Sequence, residues 1–120
     1  MKIMKPQNTE ELTKYRNEYS EPKLWNKLGR FAGRLGKEVV FQVLVLYYAM
    51  MSPDVSIKNK SIVIGALGYL ILPLDLLPDF IPLLGFTDDA AAIAMAYKAV
   101  KSSITPAIEL QARNKLNDWF

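Results

Sequence analysis

The stretch PLDLLPDFIP, Pro73–Pro82, places three prolines and two aspartates inside what is otherwise the most apolar part of a 120-residue chain. On its N-terminal side stands SIVIGALGYLIL, an uncharged run from Ser61 to Leu72, and on its C-terminal side an alanine-rich run begins at Ala90. Each proline disfavours the α region for its predecessor. Leu72, Leu77 and Ile81 are therefore expected to be extended or turn-like, and the stretch reads as a stiff connector between two helices.

No alternation of strand period is sustained anywhere, so an all-α fold of four to five helices is expected. A short polar helix is predicted over Glu10 to Tyr19, capped by Thr9 and lying on the surface. A second, long helix is predicted from the cap Ser20 to Met51, stopped by Ser52 and Pro53. Its first half carries Leu24, Leu28, Phe31 and Leu35 on one stripe and Lys23, Lys27, Arg30, Arg34 and Lys37 on the next. Its second half, VVFQVLVLYYAMM from Val39 to Met51, has neither charge nor amphipathic period and needs apolar cover on all sides.

A third helix is predicted over Ser61 to Leu72, ending against Pro73 and forming a hydrophobic hairpin with the second. A fourth is predicted to start with Asp88 and Asp89 in its first turn, where acidic residues suit the helix dipole, and to reach about Ser102. Its alanines let a neighbouring backbone approach closely. Thr105 and Pro106 open a last helix reaching Trp119. Residues 1–21 read as a polar N-terminal segment and 22–120 as one helical domain.

The chain contains no cysteine and no histidine, which removes disulfides, thiolate nucleophiles, the usual zinc sites and imidazole base catalysis. The remaining carboxylates, tyrosines, lysines and serines have no spacing that names a reaction, so no catalytic residue and no cofactor is expected. Asp75, Asp79, Asp88 and Asp89 are candidate ligands for a divalent cation, or for a shared proton. Turn and cap hydrogen bonds account for the same four residues without a ligand, and that simpler reading is preferred.

Half of the residues are hydrophobic and the mean hydropathy is +0.07, at the apolar edge for a soluble domain. Neither uncharged run reaches the roughly 20 residues of a free membrane span. Extending the third helix through Pro73–Pro82 imports two carboxylates at about 3 kcal/mol each. Membrane association is expected nonetheless, with the hairpin in or on the bilayer and transmembrane or interfacial placement left open. Lys23, Trp25, Lys27, Arg30, Arg34 and Lys37 form the expected membrane-surface helix, with Leu24, Leu28 and Phe31 inserting. Tyr47, Tyr48 and Tyr69 suit either an interfacial belt or a protein core.

The first long apolar run begins too late for a cleaved signal, so a retained, cytoplasmic N-terminus is expected, although Lys58 and Lys60 blunt the charge asymmetry. The expected partners are lipid and a second copy or partner membrane protein. Nucleic acid is not expected, since one helical row of basic residues is common on helices facing anything. A cation or proton-relay site, and a soluble oligomeric adaptor, are the alternative functions.

The set Tyr69, Pro73, Asp75, Pro78, Asp79, Pro82, Gly85, Asp88 and Asp89 resembles the signature of the YkvA-like family, a domain of unknown function, over Ser61 to Tyr97. The resemblance implies a small helical, membrane-associated module without an agreed activity, which in some eukaryotic relatives accompanies a ubiquitin-ligase domain. Leu72 departs from the small polar residue expected before the first proline.

Overall fold

The computed structural model describes residues 8–76, 82–118 and 120; for Phe31, Arg34, 72–76 and 82–89 it describes the backbone alone. Among the described residues the chain is all-α. The elements are α1 (Thr9–Thr13), a 3-10 turn η1 (Arg16–Glu18), α2 (Glu21–Leu35), α3 (Lys37–Met51), α4 (Ile57–Leu76), α5 (Pro82–Val100), a 3-10 turn η2 (Lys101–Ser103) and α6 (Pro106–Leu116). Pro78, Asp79, Leu77 and Ile81, part of the stiff connector read from the sequence, lie outside the described residues.

The expected single helix from Ser20 to Met51 is two helices. Gly36, at φ 90° and ψ 153°, occupies a region that side chains rarely enter. Its amide closes α2 on the Ala32 carbonyl and its own carbonyl accepts from Val40, opening α3. The break falls where the sequence changes character. On α2 Leu24, Leu28 and Leu35 are buried while Lys23, Asn26 and Arg30 are exposed, whereas α3 buries Val40, Val43, Leu44, Val45, Leu46, Tyr47 and Ala49.

The cover over α3 is protein. It packs against α2, α4, α5 and α6, and Arg113 of α6 lays its guanidinium 4.9 Å from the centre of the Phe41 ring. The Cα radius of gyration, 13.3 Å, matches the roughly 14 Å of a compact domain of this length.

The third predicted helix starts earlier and ends later than expected. Ser56 caps α4 by accepting from the Asn59 amide at 3.1 Å, and the helix runs past Pro73 to Leu76. Leu72, expected to be extended, is therefore helical, and Pro73 costs α4 only the one rung its missing N–H would have made to Tyr69. Asp75 belongs to the last turn of a helix instead of to a turn. The fourth helix also begins early, with Pro82 at its first position, so Asp88 and Asp89 are its seventh and eighth residues and the first turn holds no acid. The dipole account of those two aspartates falls with that placement.

Of the two terminal helices, the last follows its cap signal: Thr105 accepts from Ile108 at 3.2 Å, Pro106 is in the first turn, and α6 ends at Leu116, short of Trp119. At the other terminus Asn8, not Thr9, caps α1, accepting from Glu11 at 2.9 Å. The first helix does not simply rest on the surface, because Leu12 is fully buried and α1 and η1 both pack on α4.

That contact depends on two glycines. A Cβ on Gly65 would overlap the Leu12 carbonyl, and one on Gly68 would overlap the Tyr15 carbonyl, so two backbones meet where side chains would hold them apart. Gly29 on α2, in contrast, has nothing within 4 Å of an added Cβ. Gly68→Ala is expected to destabilise by about 2–3 kcal/mol through overpacking, and Gly29→Ala to stabilise by about 0.5–1 kcal/mol through helix propensity. Urea denaturation of the two variants beside the parent chain checks the opposite signs.

Candidate functional site

α4 runs through the centre of the molecule, touching α1, η1, α2, α3 and α5. Ile62, Val63, Ala66, Leu67, Tyr69, Leu70 and Ile71 are all buried, on every side of the helix. Tyr69, the first residue of the signature, stands edge-on to Tyr15 with ring centres 5.0 Å apart and planes at 73°. It anchors the N-terminal segment onto α4 and does not sit at a helix end facing a lipid interface.

Lys27, expected in the exposed basic row, is instead 1% exposed. Its ammonium donates to the backbone carbonyl of Leu70. A buried ammonium is tolerated only where it is held by oxygen acceptors, so α2 is pinned to α4 at this point and α2 cannot lift onto a membrane without exposing that carbonyl.

Lys23, Arg30 and Lys37 remain on the exposed face, and Trp25 is half-buried. The Trp25 ring meets Tyr47 edge-on at 4.8 Å and lies 5.5 Å from the Lys115 ammonium; Tyr47 in turn meets Tyr48 at 5.1 Å. These aromatics pack on one another, as the core alternative has it. Leu24 and Leu28, expected to insert into lipid, are fully buried against the protein. The side chains of Arg34 and Phe31 lie outside the described residues.

The candidate cation ligands give no site that can be built. Asp79 and Pro78 lie outside the described residues, and for Pro73, Asp75, Pro82, Gly85, Asp88 and Asp89 the backbone alone is described. Among the described residues no group of three or more acidic, histidine or cysteine side chains could hold a metal ion.

Beside α2, Tyr47 donates its hydroxyl to Glu21 at 3.0 Å, and the Tyr19 hydroxyl is sealed from solvent with no hydrogen-bond partner. Burial, and then the Glu21 carboxylate and Tyr47, push the Tyr19 hydroxyl up to about 12 from 10.0. Burial likewise pushes Tyr47 up, with its Glu21 hydrogen bond adding to the shift.

Residues 59–95 match the family model "Protein of unknown function (DUF1232)". Over 53 residues the chain is 34% identical to "Uncharacterized membrane protein YkvA" of Bacillus subtilis (strain 168), an alignment that takes in 44% of this chain and 50% of that protein. The chain thus spans about half the length of the curated relative it matches. The segment from Asn59 to Met95, within the α4–α5 hairpin, is similar to the YkvA-like DUF1232 family. No solved structure matches the chain. The surroundings of that hairpin, α1, η1 and α2, lie outside residues 59–95.

Because the folded-state Tyr19 hydroxyl titrates above its unfolded value, its neutral form contributes stability that is complete below pH 10 and is lost as pH rises toward 12. Tyr19→Phe removes a hydroxyl without a partner. It is expected to leave stability at neutral pH unchanged or raised by up to about 1 kcal/mol, and to make the alkaline loss shallower, as urea midpoints at neutral pH and at about pH 11 would record.

Proposed function

We propose that this chain is a non-enzymatic helical module that associates with the surface of a membrane without crossing it. No helix among the described residues is long and apolar enough to cross a membrane, so of the placements left open for the hairpin the transmembrane one is without support there. The apolar faces of α3 and α4 are taken up by the chain itself. What supports membrane association is the likeness of 53 residues of the chain to a protein named as a membrane protein, together with the exposed Lys23, Arg30 and Lys37, which suit an anionic leaflet. In this proposal the basic face is cytoplasmic, the partners are lipid headgroups and other proteins at the membrane, and the hairpin supplies a rigid body.

Attachment of this kind depends on charge and breaks without detergent. In cell fractionation the protein is expected to sediment with membranes at low salt and to be released by alkaline carbonate or high salt. A protein that stays with the soluble fraction at low salt, or one that leaves membranes only in detergent, would contradict the proposal.

A further inference from the structure

Large apolar side chains left outside the core are few among the described residues: Met51 is 60% exposed, Ile57 83%, Leu110 59% and Phe120 48%. Met51 ends α3 and Ile57 begins α4, so these two flank one short loop, 52–56, at one end of the α3–α4 pair. The loop itself is ordered from within. Val55 is buried, Ser52 accepts from the Asp54 amide at 3.3 Å and Ser56 caps α4. An 83% exposed isoleucine at the first position of a well-capped helix is unexplained by local structure, since any polar residue would serve there.

Two hydrogen bonds gather basic residues around it. The Arg16 guanidinium donates to the Ser61 hydroxyl at 3.3 Å, bringing η1 beside the first turn of α4. The Asn59 side-chain amide donates to the Ser103 hydroxyl at 2.8 Å, bringing η2 and its exposed Lys101 to the same turn. Lys58 and Lys60 belong to that turn themselves. Asp54 on the loop and Glu18 on η1 are the neighbouring acids, leaving the cluster with a cationic excess. An apolar pair rimmed by cations fits an anionic bilayer surface, where the apolar tips enter the headgroup layer and the long basic side chains keep their charge at phosphate level. The row on α2 lacks such a pair, because Leu24 and Leu28 face inward.

We propose that the end of the molecule around the first turn of α4 is the face that meets an anionic lipid surface, with Ile57 and Met51 entering the headgroup layer and Lys58, Lys60, Arg16 and Lys101 contacting lipid phosphates. This assignment rests on the surface-association reading and says which face carries it. It orients α4 end-on to the membrane, with Lys23, Arg30 and Lys37 adding attraction from a distance and not touching lipid.

The chain has no native cysteine, so single labels are clean. Ile57→Cys and Asn26→Cys, each carrying an environment-sensitive fluorophore, are mixed with phosphatidylcholine vesicles with and without phosphatidylserine. A blue shift at position 57 with the anionic vesicles, and none at position 26, is expected. In flotation, Met51→Ser with Ile57→Ser, and separately Lys58→Glu with Lys101→Glu, are each expected to weaken binding by on the order of tenfold or more, each basic residue near such a surface being worth on the order of fivefold. If the parent chain binds anionic vesicles and both variants bind equally well, or the label at 26 shifts instead, this face is wrong while surface association stands. If the parent chain does not bind, both fall. If Met51→Ser with Ile57→Ser dissolves a dimer and leaves vesicle binding intact, the patch is a contact between copies and the assignment is overturned.

Discussion

A helix that is apolar all round must be covered all round, and α4 is that helix. Beyond its polar first turn, the stretch from Ile62 to Ile71 offers no polar face to water, so the neighbouring elements are placed by the need to bury it. α3 and α5 supply two sides and α2 another. The remaining side is narrow, because Gly65 and Gly68 leave a groove with no side chains, and only a main chain fits there. The N-terminal segment provides it, with the Leu12 and Tyr15 carbonyls lying over the two glycines, the Leu12 side chain buried and the Tyr15 ring edge-on to Tyr69. Sealing this groove completes the burial of Val63, Ala66, Leu67 and Leu70 within one chain.

The same constraint explains the treatment of polar groups. Lys27 is buried, where an ammonium without an acceptor is strongly disfavoured. Lys27 reaches from α2 to the Leu70 carbonyl, which gives the ammonium an oxygen acceptor and ties α2 to α4. An element that looks detachable and lipid-seeking when its sequence is considered alone is thereby fixed to the core. What is left for an outside partner is a set of exposed cations and a pair of apolar tips, which agrees better with contact at a surface than with insertion of whole helices.

Much of this was legible in the sequence. The absence of strand period, the two uncharged runs and the Thr105–Pro106 cap signal gave the all-α class and the C-terminal helix, and the proline and aspartate spacing carried the family resemblance that the α4–α5 segment bears out. Three things escaped for physical reasons. Gly36 breaks the long helix, although Gly29 and Gly33 precede it on α2 at similar spacing; only its positive φ distinguishes it. Lys27 repeats at the period of the basic row, yet tertiary contact with α4 overrides the pattern. The groove was signalled by Gly65 and Gly68, spaced one turn apart within an apolar run, but that spacing does not say which segment lies over them. The aspartates show the opposite limit: their helical backbone positions remove the cap explanation for Asp88 and Asp89 without assigning another.

The central claim is that α4 is enclosed by this chain alone. Amide hydrogen exchange of the purified protein in buffer without detergent tests it most directly. Enclosure predicts that the amides from Gly65 to Ile71 exchange only through global unfolding, with protection equal to the most stable amides of α3. Exchange of those amides at the rate of an open helix, or a protein that stays dispersed only in detergent, would contradict it.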